Sequence, residues 1–140
     1  MSKQMSKQQP RPTRDEESAS FWDALDRRQV VVQVCASCQR SRFPNLPTCP
    51  YCRGDDAEVV EVSGAGSVYS WVRVHRALDD GPDPDPPYVV ATVDLDAGCR
   101  MFGRVEPPGE VAIGQRVRPT FVAHDGWTEL RFEPDLAEVR

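Results

Sequence analysis

The sequence has no run of about 18 apolar residues, which excludes a membrane-spanning helix. Its opening stretch, MSKQMSKQQPRPTRDEE, lacks the apolar segment of a secretory signal. The expectation is a cytoplasmic protein, where thiols stay reduced and paired cysteines more often hold metal than form disulfides. Catalytic signatures are missing too. There is no G-x-S-x-G, no H-E-x-x-H and no phosphate-cradling glycine loop, since Ser63-Gly64-Ala65-Gly66-Ser67 is followed by neither a helix nor a lysine. The two histidines, His75 and His124, have no motif around them and read as structural or solvent-facing. Cys99 sits beside a turn with no histidine placed to activate it and reads as a small packing residue. No catalytic set is nominated.

What is present is a chain of 140 residues, 39% apolar and 28% charged, with 13 prolines. That length supports one small domain plus an appended module, with a core that needs no disulfide staples. The net charge of −5 is unevenly spread. Residues 27–53 carry Arg27, Arg28, Arg40, Arg42 and Arg53 and no acid, whereas residues 54–99 carry ten acids against Arg73 and Arg76. A basic island in an acidic protein attracts a small anion, while a long nucleic acid would also meet the acidic remainder.

The periodicity predicts an almost entirely β protein. Residues 1–17 are polar and aperiodic, and read as a disordered tail. Residues 18–28 form a short helix candidate capped by Ser18 or Ser20, with Phe21, Trp22 and Leu25 on one side. Too short to stand alone, it must dock, either on its own protein or with Phe21 and Trp22 lining a ligand or partner surface. Strands are expected at 29–34 and 57–62. After the flexible corner at 63–66, five more follow at 67–78, 88–95, 100–105, 116–123 and 127–132. Turns separate them at Asp96-Ala97-Gly98 and Asp125-Gly126, and Pro119 predicts a bulge or an edge. Five short strands fit a small closed barrel. Residues 79–87 read as an acidic, proline-rich, solvated loop without calcium-loop spacing. The domain expectation is tail 1–17, helix and ribbon 18–62, and barrel 63–140.

The strongest local signal is Cys35-x2-Cys38-x10-Cys49-x2-Cys52. Each C-x-x-C turn places two sulfurs on one side, and two facing turns supply four thiolates about 2.3 Å from one Zn²⁺. Soft sulfur suits zinc, and the same four sulfurs also serve a rubredoxin-type iron. A redox C-x-x-C would want one motif at a helix start, not two flanked by strands. With all four positions filled by protein, no water is activated, so the expected zinc is structural. Four thiolates on Zn²⁺ leave a site charge of −2, and the arginine island around it stays net positive.

The order of parts resembles the zinc-ribbon plus OB-fold family known as domain of unknown function thirty-five. The likeness runs through Phe21-Trp22-Asp23-Ala24-Leu25, Val34-Cys35-Ala36-Ser37-Cys38, Arg42-Phe43-Pro44 and Cys49-Pro50-Tyr51-Cys52. It continues through Ser63 to Trp71, Pro87 to Ala91, Ile113 to Val117 and Leu130 to Pro134, covering about residues 20–134. The sequence departs from the family where glycines commonly follow each second cysteine, for here Gln39 and Arg53 do. The resemblance implies a non-catalytic accessory subunit of a thiolase-type complex (thiolase, aldolase or acyltransferase) acting on acyl-CoA. A thiolase-like partner in a hetero-oligomer is therefore expected. Arg40, Arg42 and Arg53 are candidates for CoA phosphates, and Trp22 or Trp71 for stacking its ring. The alternative is a single-stranded nucleic-acid-binding module. That role wants a basic groove with interleaved aromatics, against which the acidic stretch 54–99 argues.

Overall fold

A computed structural model describes residues 11–76, 86–107, 109 and 111–135. The expected loop 79–87 lies outside the described residues except for Pro86 and Pro87, and so does the tail up to residue 10. Among the described residues the fold is one short helix, α1 (Ala19–Asp26), followed by eight strands. Strands β1 (Val30–Cys35), β2 (Ser41–Arg42) and β3 (Ala57–Val62) form an antiparallel sheet in the order β2-β1-β3. Strands β4 (Gly66–Val74), β5 (Tyr88–Leu95), β6 (Arg100–Val105), β7 (Arg116–His124) and β8 (Trp127–Pro134) close a barrel in the order β4-β5-β6-β8-β7. The expected mainly β architecture, a ribbon leading into a five-stranded barrel, is what is found.

The barrel interior follows from alternation. On β5, Val89, Ala91, Val93 and Leu95 are buried, and the residues between them are not. With Val68, Met101, Val105, Val117, Leu130 and Phe132 they fill the core. Burying each of the Val, Leu, Met and Phe side chains stabilises by about 1.5–3 kcal/mol. β4 breaks the alternation. Its register with β5 shifts between Val68 and Ser70, a bulge that reverses the parity of every later residue on the strand. Pro119 sits opposite Phe132 on β8, while β7 pairs with β4 only at Arg116 and Val117. Pro119 therefore lies where that second ladder has ended, the edge position its missing N–H requires.

The helix starts one step differently from the sequence expectation. Ser18 occupies the N-cap position but makes no side-chain cap bond. Asp15 does the local work instead: its Oδ1 accepts from the Ser18 amide at 2.8 Å, and its carbonyl accepts from the Ala19 amide at 3.0 Å. Ser18 is already in the helical region, so its hydroxyl cannot reach forward as an extended N-cap would. The helix ends in a Schellman pair, Arg28 N–H to Leu25 O and Gln29 N–H to Ala24 O, with Arg28 at φ 60°.

The helix docks on its own protein. Phe21, Ala24 and Leu25 are buried, and Phe21, Leu25, Val30 and Val32 join the barrel's core cluster. Thr128 Oγ1 donates to Asp26 Oδ1 at 2.8 Å, tying the helix end to the β7–β8 hairpin. Arg14 reaches Asp23 at 2.6 Å and Asp26 at 2.8 Å from the preceding segment. At the corner between sheet and barrel, Gly64 has φ +78° and leaves room for Pro119 and Val30, which a Cβ would meet at 2.8 and 3.0 Å. At Gly66 a Cβ would collide with the Asp94 carbonyl.

Candidate metal centre and flanking cavities

The four ribbon cysteines converge. Cys35 and Cys38 end β1 and its turn, and Cys49 and Cys52 frame a second turn built the same way. In each, the amide after the second cysteine donates to the first cysteine's carbonyl: Gln39 N–H to Cys35 O at 3.0 Å and Arg53 N–H to Cys49 O at 2.9 Å. Both knuckles need a left-handed residue there. Gln39 and Arg53 supply it at φ 67° and 68°, where glycine would be free of strain.

All four Sγ atoms lie within 4.8 Å of one another, with Cys35–Cys52 at 3.5 Å and Cys38–Cys49 at 3.7 Å. Four sulfurs about 2.3 Å from one ion in a tetrahedron sit about 3.8 Å apart, so the spacing fits. It is far longer than a disulfide, about 2.05 Å. Backbone amides line the cluster. Ser37 and Cys38 donate to Cys35 Sγ at 3.4 and 3.5 Å, Tyr51 to Cys49 Sγ and Gly54 to Cys52 Sγ at 3.4 Å each. The Cys38 and Ser37 amides hold the Cys35 thiol down to about 6. The Gly54 amide pulls Cys52 down, but the Cys35 sulfur and burial outweigh it and push Cys52 up to about 11. Four thiolates this close cannot all ionise without a cation, and a dication held by all four resolves that conflict. Cys35, Cys38, Cys49 and Cys52 thus form a metal site closed to substrate.

The other sequence candidates divide. Arg42 is buried at 4% exposure on β2; its Nη2 donates to Leu46 O at 3.0 Å, while Nε and Nη1 have no partner among the described residues. It lines a cavity of about 390 Å³ at the seam between ribbon and barrel, with Ser41, Phe43, Tyr51, Cys99 and Arg100. Arg40 stands over the Tyr51 ring at 4.6 Å and lines an adjoining hollow. Phe21 and Trp22 line a second cavity, of about 290 Å³, between α1 and the outer barrel face. Arg53 and Trp71 join none of these walls: Arg53 is an exposed knuckle residue, and Trp71 lies past the β4 bulge with Arg73 over it at 5.7 Å.

Among the wall residues that sequence reasoning missed are Phe43, Tyr51, Arg100, Phe102 and Trp127. Outward alternation on β6 was the signal for Arg100 and Phe102; nothing local marked the others. Cys99 is half-buried and packed against the core, and burial pushes its thiol up, away from nucleophile use. His124 is held in structure, stacked on Trp127 at 4.5 Å with Nε2 2.8 Å from Glu129 Oε1. Among the described residues no helix is long and apolar enough to cross a membrane.

Comparison with known proteins places this geometry. Residues 22–58 match the ChsH2 rubredoxin-like zinc ribbon domain, and residues 59–122 the ChsH2 C-terminal OB-fold domain. A probable enoyl-CoA hydratase alpha subunit of Thermomonospora curvata is 37% identical over 112 residues, 77% of this chain but 34% of that protein. The chain thus spans about a third of the length of that relative. A DUF35 domain-containing scaffold protein of Methanocaldococcus jannaschii is 33% identical over 119 residues, 81% of this chain and 84% of that one. Among solved structures, a chain of the Ltp2–ChsH2(DUF35) aldolase superposes with a TM-score of 0.78 at 34% identity, covering 89% of this chain and 98% of its own. With its helix-led ribbon of four converging sulfurs joined to a barrel of order β4-β5-β6-β8-β7, this chain belongs to the DUF35 family of zinc-ribbon plus OB-fold proteins.

Proposed function

We propose that the chain is a non-catalytic accessory subunit of a cytoplasmic thiolase-type complex, its partner a thiolase, aldolase or acyltransferase acting on acyl-CoA. The observation that carries this is the match, over nearly the whole of both chains, to the DUF35 chain of an aldolase. The chemistry agrees. Zinc in the Cys35/Cys38/Cys49/Cys52 site fastens the ribbon and has no open position for water. The most buried histidine–carboxylate pair, His124 and Glu129, is locked under Trp127 and shared with Arg131 at 2.9 Å. We place the anionic end of the thioester at the seam cavity on the strength of Arg42, with Arg40 nearby; Arg100 lines the same cavity but is paired with Asp94 at 2.6 Å. Arg53 and Trp71, away from these walls, suit contact with the partner enzyme instead.

The test is co-purification of the tagged full chain from its native cell, with the eluate assayed for metal and partners. A thiolase-like enzyme in stable ratio with about one zinc per chain is the expected result. Recovery of the metal-bearing chain alone, or with nucleic acid, would overturn the reading.

A further inference from the structure

The barrel strands close on one another, but the ribbon sheet, in the order β2-β1-β3, leaves β3 with a neighbour on one side only among the described residues. Which of its groups face outward follows from the ladder. The Ala36 amide donates to the Asp56 carbonyl at 2.9 Å, so these two are a hydrogen-bonded pair. In the antiparallel register with β1, such pairs recur at Glu58, Val60 and Val62. The N–H and C=O groups of Ala57, Val59 and Glu61 therefore point away from β1, as a template for another strand. Nothing blunts this edge: six residues pair with β1 without a register shift, and β3 holds neither proline nor lysine. Among the described strands β3 alone buries no residue, and Val59 is 47% exposed.

Charge decides what can pair there. Asp55, Asp56, Glu58 and Glu61 are all exposed, and none has an ion-pair partner among the described residues, not even Arg53 just before them. On the barrel strands, by contrast, each acid meets an arginine: Asp94 with Arg100 at 2.6 Å, Glu129 with Arg131 at 2.9 Å and Glu133 with Arg118 at 2.7 Å. A second copy laid on this edge would set carboxylates against carboxylates, and a nucleic acid would bring phosphates to them. A strand bearing lysine or arginine meets the opposite sign on both faces. Glu58 stands on the face of Val34, Glu61 on the face of Val31, and Val59 lies beside Glu61 for an apolar contact.

We infer that β3 receives an extended, basic segment of the partner enzyme as a fourth strand of the ribbon sheet. The segment presents lysine or arginine to both faces of the sheet and an apolar side chain to Val59. Main-chain bonds to Ala57, Val59 and Glu61 give the attachment, and the carboxylates select the partner. The inference rests on the accessory-subunit reading for the existence of a partner; its place and its charge come from β3.

Amide hydrogen exchange on the zinc-loaded full chain, alone and in its co-purified complex, tests this. In the free chain the Val59 and Glu61 amides should exchange faster than those of Val60 and Val62, which are bonded to β1. In the complex the Val59 and Glu61 amides should slow at least tenfold. Two variants separate backbone from charge. V59P deletes an outward N–H and no bond to β1, so it should fold and keep its zinc, yet bind the partner at least tenfold more weakly. E58K/E61K alters two exposed side chains. It should weaken the complex at least as much and abolish the loosening by salt that the wild-type complex shows. Fast exchange of Val59 and Glu61 in an intact complex, or wild-type affinity in either variant, would overturn the inference and leave the accessory reading standing. Slow exchange of both amides already in the free chain would also overturn it, by showing that the chain covers its own edge. Recovery of the chain without any enzyme would overturn this inference and the accessory reading together.

Discussion

The two ends of the ribbon are held by different physics. At the barrel end, Val30 and Val32 of β1 belong to the same buried cluster as Val68, Val93 and Phe132, so that end is ordered by apolar burial. At the knuckle end, residues 35–54 bury little besides Cys35, Cys49 and Arg42, while Tyr51 is 59% exposed. The chain there has too few apolar side chains for a core of its own, and four sulfurs around one ion take the core's place. One continuous sheet can thus be anchored hydrophobically at one end and by coordination at the other, and the two should come apart under different insults.

The largest effect expected is at the knuckle end. Structural zinc contributes on the order of 10 kcal/mol in isolated zinc fingers, as much as a whole domain's net stability. Cys49→Ser removes a buried ligand, so the knuckles should lose protection from amide exchange while β5, β6 and β8 keep theirs. Collapse of all the strands together would show instead that ribbon and barrel are one cooperative unit. The complementary insult is Phe132→Ala, which empties the centre of the barrel at 0% exposure. It should cost about 3–5 kcal/mol in chemical denaturation, leaving the chelator concentration needed to strip the metal nearly unchanged.

This comparison also sorts what could be read from sequence. The metal site was fully legible, because two C-x-x-C turns put their chemistry within a few residues of one another and tertiary structure has only to bring the turns together. Strands β5 and β6 were legible to the residue, β5 because strict alternation leaves one face for the core. β4 was not: the bulge after Val68 changes the side on which each later residue falls, and no residue type marks it. That is why Trp71, grouped with Trp22 by chemistry, stands apart from it in space. The aromatic wall of the cavity beside α1 was half legible. Phe21 and Trp22 were chosen on helical spacing, but Phe43, Phe102 and Trp127 join them from three distant strands or turns, and only the folded barrel makes them neighbours. The acid-free island of arginines predicted an anion site; folding puts Arg42 at the seam cavity, Arg40 at the adjoining hollow and Arg53 on a knuckle.

The smallest predicted effect is also the finest probe of the coordinated end. Gln39 and Arg53 hold left-handed backbones that glycine adopts freely. An L-residue gives up about 1–2 kcal/mol there, and glycine returns about 0.5–1 kcal/mol of that through its looser unfolded chain. The net gain from either glycine should therefore be about 0–1 kcal/mol, confined to the ribbon. The two sites should not be equal. Gln39 Nε2 donates to the Ala36 carbonyl at 3.2 Å across its own turn, a bond that Gln39→Gly deletes, so its gain should be the smaller. Among the described residues Arg53 makes no side-chain bond for Arg53→Gly to give up, but a positive charge beside a zinc site of charge −2 is lost. Chelator competition at low and high salt separates the two contributions. Slower zinc loss from Arg53→Gly at both salts means backbone strain dominates. Faster loss at low salt that vanishes at high salt means the arginine is kept at the strained position to offset the thiolate charge.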